Sequence, residues 1–312
     1  MLKKIIFSIK SPYRQSMDII GYVFGGGENS CCIVGALRGN EIQQMAICAQ
    51  LVDTLSRIEE KGCIEKDKSI MVIPCANYYS MNIGKRFWTM DNTDINRMFP
   101  GYELGETTQR IADGLFKTIK EYRFGLQMAS FYQEGEFLPH VKVMDTASKK
   151  REDYNSLSDF GLPYGLIRKP IPYDTATLNY NWQIWGSEAY SLFATYINHI
   201  GNQSTQTAVN AALRFLISKG MLKWNLHPGS HTRILSEDAI WRVSTRHAGI
   251  LKKHVSVGDE VKADDLLGRI IHPLEGNTIA RISSPVDGTV FFSFNKQLVM
   301  EHTDVFNIIP FV

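Results

Sequence analysis

The sequence predicts an α/β domain over about residues 1–235, followed by a small all-β domain over residues 236–312. Three observations carry this reading. Cys31–Val34 is an apolar run that breaks at Gly35 into a tight loop, Arg38-Gly39-Asn40-Glu41, and opens a helix. A strand that turns into a helix at its carboxyl end is where open α/β sheets build their sites. Ser69–Cys75, SIMVIPC, is continuously apolar, as expected of a parallel strand buried on both faces. After about Leu235 the chain changes to short β runs punctuated by Gly-Asp and Asp-Gly, which argues for an all-β unit.

Taken in order, Lys4–Ile9 and Asp18–Phe24 read as an opening strand pair at a sheet edge. The run Gly25-Gly26-Gly27 turns the chain into the central strand; with no Gly-Lys-Ser/Thr and no helix start after it, it is not a phosphate loop. In the helix that follows Glu41, the apolar positions Ile42, Met45, Ala46, Ala49, Val52, Leu55 and Ile58 keep a helical period and mark the inward face. Ala76–Tyr102 is a long loop rich in Asn, Asp, Gly and Pro, and a loop that long inside a compact domain is usually functional. Thr107–Tyr122 is a helix with Ile111, Leu115, Ile119 and Tyr122 inward. Phe124–Met128, Val141–Met144 and Ala189–Ala194 read as strands. Ser148–Phe160 reads as an exposed helix, Thr175–Trp185 as a helix with aromatic contacts, and Gln203–Lys219 as an amphipathic helix. The β runs of the last domain are Ala248–Leu251, Val255–Asp259, Leu266–Ile271, Ala280–Ser283 and Gly288–Phe294.

Composition narrows the function. Hydrophobic residues are 44% and charged residues 21% of the chain, ordinary for a globular protein. A net charge of +2 without a basic block gives no case for nucleic acid or a membrane surface. The five cysteines, an odd number on apolar stretches, read as buried small hydrophobes in a reducing, cytoplasmic setting. The apolar run near the N-terminus is too short for a signal peptide, and no stretch reaches the length of a membrane span.

The chemistry lies in two segments. Arg38 and Glu41, spaced i, i+3, can face one pocket at the helix start. Asp94-Ile95-Asn96-Arg97-Met98-Phe99-Pro100-Gly101 follows within the long loop. By themselves Arg38 and Glu41 are a solvated ion pair and Asn96-Arg97 a surface pair. Together the two segments resemble the succinylglutamate desuccinylase/aspartoacylase branch of the zinc carboxypeptidase superfamily. That branch carries Gly-x-His-Gly-Asn/Asp-Glu at the first and Asp-Leu-Asn-Arg-x-Phe-Pro-Gly at the second. The resemblance implies a zinc-carboxypeptidase-like, mixed, mostly parallel sheet with helices on both faces and a small C-terminal all-β domain. The pieces GILKKHVSVGDEV and ISSPVDGTV of that last domain resemble a biotinyl/lipoyl-like half-barrel.

The same resemblance places the three zinc ligands at Arg38, Glu41 and Gln127, and only Glu41 is a normal ligand. Arginine offers donors only and stays protonated. A guanidinium about 4 Å from a dication is opposed by about 8 kcal/mol at an effective dielectric of 20. The aspartate that would orient the third ligand is replaced by Gly125, and the general-base glutamate by Phe193, which cannot take a proton from water. The substrate-gripping residues are kept. Asn96 and Arg97 match the pair that holds the substrate carboxylate, Asn77 matches a substrate asparagine, and Arg86, or Thr89 in a competing register, matches the second substrate arginine.

Two functions from different classes are expected. The first is a metal-free relative of zinc-dependent N-acyl-amino-acid deacylases and carboxypeptidases, needing no cofactor. It binds a carboxylate-bearing acyl-amino acid or a peptide terminus without hydrolysing it, or regulates an active paralogue. The second is a working zinc hydrolase of amide bonds with unorthodox ligands, Glu41, Gln127 and a histidine such as His140. The expectation favoured is the first, with the Arg38 guanidinium in the metal position, bonded to Glu41 and the Gln127 carbonyl.

Overall fold

A computed structural model of the chain describes residues 1–11, 15–146, 151–195 and 200–311. Its contacts divide it into two compact units. The first comprises Met1–Ser130 and Pro139–Ile234, the second Phe131–Leu138 and Leu235–Val312.

The first unit is built on a nine-stranded sheet. Its strands in chain order begin with β1 (Leu2–Ile9), β2 (Met17–Gly25), β3 (Glu28–Ala36), β4 (Lys68–Cys75) and β5 (Phe124–Ala129). After β6 (Gly135–Phe137), which pairs in the second unit, come β7 (His140–Met144), β8 (Tyr164–Arg168), β9 (Glu188–Phe193) and β10 (Arg233–Ser236). The spatial order is β1-β2-β4-β3-β5-β9-β7-β8-β10. The centre, β4-β3-β5-β9, is parallel, and β7 pairs parallel to β8; β1, β2 and β7 join their other neighbours antiparallel.

Five helices accompany this sheet: α1 (Ile42–Glu60), α2 (Tyr78–Asn82), α3 (Thr107–Ile119), α4 (Leu178–Ile184) and α5 (Asn202–Ser218). On β3 the side chains alternate between two cores, Cys31 and Ile33 in one, Cys32 and Val34 in the other. The first core is completed by α1, α5 and the 3₁₀ segment Arg151–Phe160, the second by α3 and α4. The central strands are thus covered on both faces, which is why they read as continuous apolar runs.

The second unit holds two antiparallel sheets. One has the order β11-β18-β16-β13, with β6 also on β16; the other is β15-β14-β12-β17. These strands are β11 (Trp241–Ser244), β12 (Gly249–Lys253), β13 (Glu260–Val261), β14 (Leu266–Ile271), β15 (Thr278–Ser283), β16 (Gly288–Phe294), β17 (Leu298–Val299) and β18 (Asp304–Pro310). Among the described residues no helix is long and apolar enough to cross a membrane.

Four local expectations are corrected. Gly35 does not break β3: a Cβ there would lie 2.1 Å from the Pro74 carbonyl oxygen, so glycine lets β3 continue beside β4. Of the predicted inward stripe of α1 only Leu55 and Ile58 are buried; the rest of the inward face is Gln43, Gln44, Ile47, Cys48 and Leu51. Buried glutamines are tolerated because Gln43 Nε2 donates to Ser204 Oγ at 2.6 Å and Gln44 Nε2 to the Ala129 carbonyl at 3.3 Å. The expected exposed helix Ser148–Phe160 begins among residues outside the described set. From Arg151 it is a 3₁₀ segment, with Leu157 and Phe160 fully buried against α5. Val255–Asp259 is not a strand; it includes the turn before β13, closed by Asp259 N–H donating to the Ser256 carbonyl.

Candidate functional site

The corner between β3 and α1 is held by one carboxylate. Glu41 is the N-cap residue of α1 and 2% exposed. Its Oε2 accepts the backbone N–H groups of Leu37 at 2.9 Å and Arg38 at 3.0 Å. Its Oε1 accepts Arg38 Nη1 at 3.1 Å and the Ser130 hydroxyl. Arg38, 4% exposed, turns its other edge to Asp94, with Nε and Nη2 at 3.0 and 2.8 Å from Oδ2. Burial by itself would lower the Arg38 guanidinium, but Glu41 and Asp94 outweigh it and the net shift is upward.

Asp94 is shared. While Oδ2 receives Arg38, Oδ1 accepts the Asn96 backbone N–H at 3.0 Å and caps the 3₁₀ turn Ile95–Arg97. The Asn96 carbonyl oxygen Oδ1 accepts Leu178 N–H at 3.2 Å and Gln127 Nε2 at 3.5 Å, so its amide NH₂ is the group turned to donate. Arg97 is half-buried. Its Nη1 donates to the Tyr173 carbonyl at 2.5 Å, and its guanidinium carbon lies 3.4 Å from the Tyr173 ring centroid. Burial pulls the Arg97 guanidinium down, Tyr173 and Asp94 oppose this, and the charge of Arg38 adds to the lowering.

Sheet register aligns the remaining expected residues. Gln127 on β5 is opposite Ser191 on β9, which is opposite Lys142 on β7; two residues on, Ala129, Phe193 and His140 form the next row on the same face. Partnered residues share a face. Phe193 therefore sits at the carboxyl end of β9, with the fully buried His140 ring stacked on it at 4.7 Å and Lys142 Nζ 4.9 Å from its centroid. Gly125 is tight against Trp182: a Cβ there would come within 2.6 Å of the indole, which fills the space an aspartate would need.

Asn77 is fully buried and committed to the protein, capping α2 through Ser80 N–H and donating to the Leu37 carbonyl at 3.3 Å. The Arg86 carbonyl accepts Gly39 N–H at 2.8 Å, which ties the long loop to the corner. His227 is exposed, its Nδ1 accepting Gly229 N–H at 3.0 Å. Among the described residues no three His, Cys, Asp or Glu side chains form a group that could hold a metal ion.

The structure thus brings Arg38, Glu41, Asn96 and Gln127 into one hydrogen-bonded cluster through Asp94, while the neighbouring Arg97 turns its side chain to Tyr173. The Gln127 contact is made by its NH₂ to Asn96. Asp94 and Ser130 as partners of the corner, and Tyr173 as partner of Arg97, are not foreseen. They lie 56, 92 and 76 residues away in the chain, and no local spacing signals them.

Comparison with known proteins agrees with this architecture. A model of the succinylglutamate desuccinylase/aspartoacylase catalytic domain matches residues 28–185. The N-alpha-acetyl-L-2,4-diaminobutyric acid deacetylase of Halomonas elongata is 22% identical over 289 residues, covering 86% of this chain and 78% of that protein. The product-bound ectoine utilization protein EutE (DoeB) of Ruegeria pomeroyi superposes with a TM-score of 0.80 at 20% identity, covering 94% and 89% of the two chains. A succinylglutamate desuccinylase from Silicibacter sp. gives 0.81 at 18% identity, over 98% and 92%.

Proposed function

The chain belongs to the succinylglutamate desuccinylase/aspartoacylase family, and from that premise we propose that it is a metal-free member that binds a carboxylate ligand without hydrolysing it. The ligand is an N-acyl amino acid or a peptide terminus. The Asn96 amide and the Arg97 guanidinium hold its carboxylate.

The observation that carries this reading is the state of Glu41. Each of its oxygens already accepts two hydrogen bonds from protein donors, one of them from Arg38. Arg38 has no acceptor to offer, and its charge opposes a dication. Gln127 contributes its NH₂ to Asn96, and Trp182 fills the space beside Gly125. The residues present therefore do not fit the zinc ion that the family resemblance implies. With Phe193 at the late-strand position, no carboxylate stands there to activate water.

Arg97 differs from Arg38 in what it leaves over. Its planar fork suits a carboxylate, and the adjacent Asn96 NH₂ adds a third donor. The name of the Halomonas elongata relative, an N-alpha-acetyl-L-2,4-diaminobutyric acid deacetylase, supports an acylated amino acid as the ligand class.

The test is calorimetric titration with N-acetyl- and N-succinyl-L-amino acids, run beside a hydrolysis assay with and without added zinc. The reading expects saturable binding of carboxylates, none of their carboxamides, and no turnover in either assay. Zinc-dependent release of the acyl group would overturn it.

A further inference from the structure

We propose that Tyr173 is the positioning residue of the anion grip, setting the plane and rotation in which the Arg97 guanidinium meets a ligand carboxylate. This rests on the carboxylate-binding reading above.

Arg97 has already committed part of its fork to Tyr173. Nη1 donates to the Tyr173 carbonyl, and the ring of the same residue lies against the face of the guanidinium at 3.4 Å. A ring under one face and an acceptor at one corner fix both the plane and the rotation of the fork. The Tyr173 carbonyl takes one of the two Nη1 N–H groups and leaves the other. Nε is buried without a hydrogen-bond partner among the described residues, so Nη2 and the second Nη1 N–H are the donors left for a ligand. These donors can meet a carboxylate with charge-assisted hydrogen bonds.

Tyr173 is itself held. It is the middle residue of the 3₁₀ turn Pro172–Asp174. Arg168 grips Asp174 with Nε to Oδ2 at 3.0 Å and Nη2 to Oδ1 at 3.2 Å. Asp174 Oδ2 also accepts Ile171 N–H at 3.0 Å. Five residues after Tyr173, Leu178 N–H fixes the Asn96 carbonyl oxygen. One short segment therefore orients both halves of the grip, while the Tyr173 side chain serves no core: the residue is 57% exposed.

The experiment uses the full chain with N-acetyl-L-2,4-diaminobutyrate and its carboxamide as probes, read by calorimetry, with the melting temperature of each variant. Tyr173→Phe keeps ring and carbonyl and should bind the carboxylate as the wild type does. Tyr173→Leu removes the platform and should weaken carboxylate binding about three- to tenfold at unchanged melting temperature. In an Arg97→Lys background, Tyr173→Leu should have no further effect, because the fork it positions is gone. Equal carboxylate affinity of wild type and Tyr173→Leu would overturn the assignment while leaving the carboxylate reading intact. A wild type that binds carboxylate and carboxamide alike, or neither, would overturn that reading and this inference with it.

Discussion

Two arginines less than sixty residues apart in the chain meet the same aspartate region and end in opposite states. Arg38 is 4% exposed and its hydrogen bonds run to Glu41, Asp94 and Ser130, all within the protein. Arg97 is half-buried, its side chain donates to one backbone carbonyl, and its Nε has no partner among the described residues. The difference teaches how to separate a structural charge from a binding charge inside one site. A buried cation matched by carboxylates on two sides stabilises the fold and is closed to ligand. A cation stacked on a ring, with donors to spare, is held ready for an anion.

Arg38→Met tests the structural half and should have the largest effect. It strands Glu41 and Asp94 as buried carboxylates, and breaking a buried pair costs about 3–5 kcal/mol of stability. Urea denaturation measures it; a loss below about 1 kcal/mol would mean that the corner tolerates an uncompensated charge.

Gly125→Asp should come next. It drives a side chain into Trp182 and adds a buried charge, at a cost of about 1–3 kcal/mol from overpacking alone. The same urea series reads it, and Trp182→Ala in the same chain should relieve the clash. Restoring histidine at positions 38 and 127 therefore does not by itself rebuild the environment of a zinc ligand.

Arg97→Met tests the binding half. Stability should change by less than about 1 kcal/mol, while calorimetric affinity for an N-acyl amino acid falls by about tenfold or more, the worth of a charge-assisted hydrogen bond. If instead Arg97→Met unfolds the chain and Arg38→Met abolishes binding at unchanged stability, the two roles are assigned the wrong way round.

The smallest effect is a pH dependence unrelated to either arginine. Burial pushes the Cys75 thiol from near 9 up to about 12. The folded chain then keeps a proton that the unfolded chain releases near pH 9. That stability is fully present below about pH 9 and is lost as pH rises toward 12, amounting to about 1 kcal/mol by pH 10. Urea midpoints at pH 7.5 and pH 10 should show a smaller alkaline drop in Cys75→Ala than in the wild type.

What could be read from the sequence follows the distance over which each interaction acts. The β3–α1 corner and the Asp94–Gly101 motif are contiguous, so the Arg38–Glu41 spacing and the Asn96-Arg97 pair stood out. The parallel strand Lys68–Cys75 and the helix Thr107–Ile119 are long apolar patterns and were equally clear. The short half-buried strand β8 and the two-residue β13 and β17 carry too few residues for a period to emerge. The α1 face was misread because two glutamines hold inward positions by finding hydrogen-bond partners far along the chain. The expected Arg38–Glu41 pair is present, but spacing could not supply Asp94, Ser130 or Tyr173, because the fold alone brings them in.

Whether a guanidinium stands in the place of a divalent ion is decided most directly by zinc content. Protein purified without chelator and analysed by inductively coupled plasma mass spectrometry should carry far less than one zinc per chain, and calorimetric titration with zinc should give no site that involves Glu41. Stoichiometric zinc, lost in Glu41→Gln and accompanied by chelator-sensitive release of an acyl group, would contradict it.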